Sequence, residues 1–163
     1  MSTIDTFAKL WEFNRGRTLA LLDQIEETGK AEEILGWRPG PGRAHIGWQL
    51  MHIGVTEEMF ATERLNAGEP DFPELLTRFK GGSTPDDDIL TVSEIRDVLS
   101  HSREHFLKTI RTFGEDDLSV SPTEFLEGRG WTLETLLQVI AWHEGHHQGQ
   151  AHITLNLWKA QNG

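Results

Sequence analysis

Two histidines four residues apart, His143 and His147, lie in the segment His143-Glu144-Gly145-His146-His147. On an α-helix that offset leaves two imidazoles roughly 40° apart around the axis and one turn apart along it. Two neutral imidazoles on one helix face are half of a transition-metal site. The same letters spell H-E-x-x-H, the signature in which two histidines bind zinc and the glutamate serves as the general base of a peptidase. That chemistry needs a third protein ligand, generally downstream. After Glu144 the chain has no Asp or Glu, and beyond His147 the remaining histidine is His152. Gln150 and Ile153 occupy the positions where the extended signature needs Gly and His. The peptidase reading fails on this count, so a third ligand has to come from upstream.

The elements that must position these residues are helices. Apolar residues recur at three and four along most of the chain, and strand-like alternation is weak throughout. The first helix is expected over residues 3–27, with Leu10, Phe13, the stem of Arg17, Ala20, Leu21 and Ile25 on its inner face and Thr28-Gly29 as its stop. A Gly- and Pro-rich loop at 36–42 follows. The second helix is expected over 44–66. It carries two largely apolar stripes, Ile46, Leu50, Ile53, Glu57 and Phe60 on one and Trp48, Met51, Val55 and Met59 on the other. A helix apolar on two sides packs on two sides, so one stripe is expected to face the core and the other a second subunit. A long connection spans 67–91, with a short helix at 72–79, and a connection of this length points to a functional or mobile segment. Thr91 to Glu94 reads as a capping box opening a third helix over 92–113. Thr132 is the expected N-cap of a fourth, over 133–159. Four long helices without strands predict an all-α fold, a four-helix bundle with a long connection between helices 2 and 3, and a single domain over 1–163.

On the last helix the inner stripe is Leu133, Leu136, Leu137, Ile140, Ala151, Leu155 and Trp158. His147 falls inside it, His143 at its edge on the same side and Glu144 near its centre, while His146 and His152 point away by about 100° or more. Burying so much polarity without a partner costs several kcal/mol, which argues for a metal rather than for idle core histidines. The upstream candidate for third ligand is His52, midway along the second helix, with His45 in reserve on nearly the same face. A further pair, His101 and His105, flanks the inner stripe of the third helix and reads as a polar margin with room for adventitious metal binding. Glu144 is a weak candidate for a catalytic base, and equally for a buried glutamate paired with an arginine.

Composition narrows the function. The 163 residues carry 26 acidic against 15 basic side chains, a formal net charge of −11. That balance disfavours nucleic acid, whose binding rests on phosphate neutralisation, and anionic membrane surfaces. No apolar run reaches membrane-spanning length, and the N-terminus lacks a secretory pattern, so a cytoplasmic protein is expected. With no cysteine, any thiol chemistry needs an external thiol.

Three features together resemble the DinB/YfiT-like family of metal-dependent proteins: His52 within Trp48-Gln49-Leu50-Met51-His52-Ile53, the helix start Gly130-Trp131-Thr132-Leu133, and the block from His143 to Gln150. The resemblance spans nearly the whole chain in helix order and spacing. It implies a four-helix bundle holding nickel or zinc on three histidines, which by position are His52, His143 and His147. It also implies a homodimer and, in some relatives, a thiol S-transferase or isomerase using a low-molecular-weight thiol with an electrophilic substrate. A metal-dependent hydrolase and a non-enzymatic, metal-stabilised binding bundle are the alternatives.

Overall fold

Ser2 opens the first helix with a reciprocal cap. Its hydroxyl accepts from the Asp5 amide at 3.0 Å, and the Asp5 carboxylate accepts from the Ser2 amide at 3.3 Å. In this computed structural model, which describes residues 1–66 and 68–163, the helix that follows is α1 (Thr3–Glu27). It stops where Gly29 turns the chain with φ +69°, a conformation cheap only for glycine. The chain then forms α2 (Ala31–Gly36), α3 (Ile46–Met59), a π-helical turn (Phe60–Arg64), α4 (Pro73–Phe79), α5 (Val92–Ile110), α6 (Glu124–Arg129) and α7 (Leu133–Asn162). Thr91 and Glu94 form the expected capping box of α5, and the Thr132 hydroxyl accepts from the Thr135 amide at the start of α7. The described residues contain no strand, and no helix among them is long and apolar enough to cross a membrane.

The four long helices are α1, α3, α5 and α7, and their cross-contacts set their directions. The Trp11 indole and the Asn14 amide donate to the Leu137 and Ala141 carbonyls, so α1 and α7 run parallel. Gln49 meets Gln150 and His52 meets His143, so α3 and α7 run antiparallel. Gly54 lies against Val98, and the Thr109 hydroxyl donates to the Ala61 carbonyl, so α3 and α5 run parallel. A Cβ at Gly54 would stand 3.0 Å from Val98 Cγ1 and 3.2 Å from Ser102 Oγ, so a glycine is what lets these two helices approach. Parallel neighbours need the chain to travel the length of a helix before re-entering. For the 19 residues of α5 that is about 28 Å at 1.5 Å per residue, which accounts for the long crossover that carries α4.

The core has two apolar halves. One gathers Leu21, Leu22, Ile25, the first half of α3, Ile95, Leu99 and Leu155. The other gathers Trp11, Phe60, Phe106, Ile110 and the first turns of α7. Between them lies a buried charged layer to which each long helix contributes one residue: Arg15, Glu57, Arg103 and Glu144. Arg15 Nη2 reaches Glu57 Oε2 at 3.0 Å and Arg15 Nε reaches Glu144 Oε1 at 2.7 Å. Arg103 Nη2 lies 2.6 Å from both Glu57 Oε1 and Glu144 Oε2. The Thr18 hydroxyl donates to Glu144, and Arg15 Nη1 donates to the Leu99 carbonyl. Burial works against the charge on Glu57, but the two guanidinium groups outweigh it and hold its carboxyl below the usual range. Burial likewise opposes the charge on Arg103, and the two carboxylates overcome it.

Two expectations from the sequence are refined here. The inner face of α1 is Trp11, Arg15, Thr18, Leu21, Leu22 and Ile25. Arg17 is exposed, as are Leu10 (43 %) and Phe13 (66 %). Leu21 and Ile25 lie on the inner face as expected; the first half of the expected stripe is out of phase because it passes over a buried arginine in favour of Phe13. Most of the second stripe of α3 is covered from within the chain, with Met59 partly exposed. Trp48, Met51 and Val55 are buried within the chain, in the cluster that includes Leu76 and Phe79 of α4, and the Trp48 indole donates to the Ser83 hydroxyl. The crossover, invisible to a helical wheel, is what covers that face.

Removing one charge from the buried layer leaves its partners uncompensated. Glu57→Gln is expected to lose about 3–5 kcal/mol at neutral pH, measured by urea unfolding. Because the folded pKa of Glu57 lies below the ordinary 4.5, its contribution is complete above that value and is lost as pH falls through the folded value. The stability gap between wild type and variant should therefore narrow below about pH 4.5.

Candidate metal centre

His52 projects from the middle of α3, and His143 and His147 project from successive turns of α7. One ring nitrogen from each lies within 4.8 Å of the others. The ring centroids are 4.8 Å apart for His52 and His143, and 4.5 Å for His52 and His147 and for His143 and His147. His143 Nε2 and His52 Nε2 are 3.1 Å apart.

The outer nitrogens of two of these rings are engaged, which decides the tautomer of each. His52 Nδ1 donates to the Phe79 carbonyl at 2.7 Å. A carbonyl only accepts, so Nδ1 carries the proton and the Nε2 lone pair faces the cluster. His147 Nδ1 donates to Gln49 Oε1 at 2.5 Å, which again frees Nε2. The Gln49 amide donates to Gln150 Oε1 at 3.0 Å, and the Gln150 amide donates to His146 Nε2 at 2.6 Å. Trp48 stacks on His52 with centroids 4.7 Å apart and an interplanar angle of 15°. The crossover therefore reaches the site twice, through the Phe79 carbonyl and through Ser83, which holds the Trp48 indole.

Electrostatics keep the rings neutral. Burial pushes His143 down to about 3, helped by the His52 and His146 imidazoles. Burial pushes His147 down to about 3 as well, helped first by His143. Burial also lowers His52, against a smaller opposing pull from the Phe79 carbonyl. Neutral imidazoles with free lone pairs are the form that ligates a metal. With metal–nitrogen bonds of about 2.0–2.1 Å, two ligand nitrogens on neighbouring positions of one ion stand roughly 3 Å apart, and 3.1 Å separates His52 from His143. The donor set fits a borderline divalent ion such as zinc or nickel.

The other sequence candidates go elsewhere. His146 is exposed and stacks on Trp142. His45 is buried as the N-cap of α3: its Nδ1 accepts from the Trp48 amide, and its Nε2 donates to the Asp86 carbonyl at 2.9 Å. Both nitrogens are used, so the reserve ligand is a cap. Glu144 turns into the charged layer, where Arg15, Arg103 and Thr18 occupy its two oxygens. His101 and His105 lie apart from the three histidines, together with Glu58 and Asp71. Sequence reasoning passed over Gln49 and Gln150. Each lies three residues from a ligand candidate on the same helix, His52 and His147, and a polar residue at that offset was the available signal.

The family model described as DinB superfamily matches residues 10–151, a stretch that includes all three histidines. No curated protein matches the chain. The chain belongs to the DinB superfamily.

The lowered pKa values make a prediction for the metal-free protein. In the unfolded chain the imidazoles of His143 and His147 take up protons near the ordinary 6.5, and in the folded chain only near 3. Stability should therefore fall as pH drops through that window, since the unfolded state binds more protons. An NMR titration of the metal-free protein should show no protonation step near 6.5 for either ring, and such a step in both would contradict the burial of the site.

Proposed function

We propose that this DinB superfamily protein is a four-helix bundle that holds a divalent transition metal, nickel or zinc, on His52, His143 and His147, and that it transfers a low-molecular-weight thiol to an electrophile. The observation that carries this reading is the convergence of three imidazoles, each with one ring nitrogen within 4.8 Å of the other two. Three protein ligands leave open positions, as in catalytic rather than closed structural sites. A divalent ion held there supplies a Lewis acid that lowers the pKa of a thiol or water at those positions.

The chain's own residues do the rest. The Phe79 carbonyl and the Gln49 amide fix the ring orientations and tautomers of His52 and His147, and such partners tune ligand basicity. Trp48 covers the face of His52 and keeps water from that side. A shallow cleft of about 310 Å³ is lined by Gln49, the partner of His147, and by Gln150, Arg43, Ile153 and Leu157. It offers an apolar wall with one cationic group, which suits a small molecule bearing a carboxylate. With no cysteine in the chain, the reactive sulfur has to be supplied by such a ligand. Glu144 acts here as a positioning residue, anchoring the turn of α7 that carries His143, since its oxygens are committed to the charged layer.

Metal analysis and a thiol-consumption assay test this reading together. His52→Ala, His143→Ala and His147→Ala should each lose the ion, and His146→Ala should keep it. Gln49→Ala should keep all three ligands and weaken binding about 10–100-fold. The nickel- or zinc-loaded protein, offered a panel of small thiols and electrophiles, should consume thiol faster than the metal-free protein. No excess over that control would sink the transferase reading, and turnover without thiol would assign hydrolysis in its place.

A further inference from the structure

A second group of metal-ligating side chains lies on the outer side of α3 and α5. Glu58, Asp71, His101 and His105 each place one donor atom within 4.8 Å of the others. His101 and His105 are one turn apart on α5. Glu58 is the penultimate residue of α3, two residues before the π-helical turn (Phe60–Arg64) begins, and such turns recur at functional sites. Asp71 comes from the crossover, and its amide donates to Glu58 Oε1 at 3.0 Å, which fixes the carboxylate.

The four donors share one centre rather than forming two separate pairs. His101 Nε2 is 2.6 Å from Asp71 Oδ2 and His105 Nδ1 is 3.0 Å from Glu58 Oε2, but His105 Nδ1 also lies 3.7 Å from Asp71 Oδ2. The Glu58 side chain is fully buried. Its neighbour Glu57 is neutralised by two guanidinium groups, whereas among the described residues no Lys or Arg forms an ion pair with Glu58. A buried carboxylate needs a compensating positive charge. That charge is either an imidazolium or a bound cation, and the second imidazole and second carboxylate converging on the same point favour the cation.

We propose that Glu58, Asp71, His101 and His105 form a second site for a divalent transition metal. Two carboxylates balance the charge of the ion, and two neutral imidazoles select a transition metal over magnesium or calcium. Four protein donors make a closed, structural site, in contrast to the open three-histidine centre. The ion ties the crossover to α3 and α5 at Asp71. The segment so tied leads into α4, whose Phe79 carbonyl orients His52.

The test is Co2+ uptake by the chelator-stripped full chain at micromolar free metal, read as metal content and visible absorption. His143→Ala isolates the second site and should still bind about one ion per chain. Adding Asp71→Asn and His101→Ala to it should abolish uptake. Both of these side chains are about half exposed, so the fold tolerates the changes, and circular dichroism checks it. If His143→Ala binds no Co2+, or binds an ion that survives the two further substitutions, the site is refuted and the cluster is a pair of ion pairs. Failure of the three-histidine reading looks different: wild type and His143→Ala would then bind equally.

Discussion

Four charges buried at mid-height hold the four long helices in one rotational setting. Arg15, Glu57, Arg103 and Glu144 sum to zero and satisfy one another across four helices. A buried quartet of this kind contributes little net stability, because desolvation offsets most of the attraction. Its effect is on specificity. If any of the four helices turns by one residue, about 100°, a charge leaves its partners and stays buried alone. The apolar halves above and below tolerate small slips, since Leu and Ile pack in many ways, but the charged layer does not.

That constraint reaches the candidate metal centre through sequence adjacency. Glu144 follows His143 directly, so fixing Glu144 in the layer fixes the turn of α7 from which His143 projects. On α3, Glu57 lies in the layer, His52 faces α7 from below it and Glu58 turns outward toward α5. Three ionisable residues within seven positions of one helix thus serve three environments, separated by helix phase alone. The glutamate that looks like a peptidase base in the one-dimensional motif has its oxygens bonded to Arg15, Arg103 and Thr18 in the charged layer.

The crossover is the second constraint. Because α3 and α5 run parallel, a long segment must return along the bundle, and it does so across the face of α3 that carries Trp48 and His52. It buries the second apolar stripe of α3, orients His52 through a main-chain carbonyl and brings Asp71 beside Glu58. One segment thereby covers most of the stripe that suggested a second subunit. The capping of α3 by His45 depends on the same segment, since the Asp86 carbonyl accepts its other nitrogen.

Much was legible in the sequence where the signal is local. The capping box at Thr91, the cap at Thr132, the all-α class and the positions of the long helices follow from hydrogen bonds and periodicity within a few residues. The convergence of His143 and His147, and the exclusion of His146, follow from 3.6 residues per turn. The phase of the first half of α1 was not legible, because a hydrophobic stripe cannot show that an arginine is the inward residue when its partners lie on three other helices. Nor were the orientation of His52 by the Phe79 carbonyl, the Gln49–Gln150 link or the meeting of Glu58 with His105, each of which joins residues distant in the chain. Helix geometry is written in neighbouring residues and can be read from them. The balance of buried charge and the choice of imidazole tautomer depend on which helices become neighbours, and only the tertiary structure decides that.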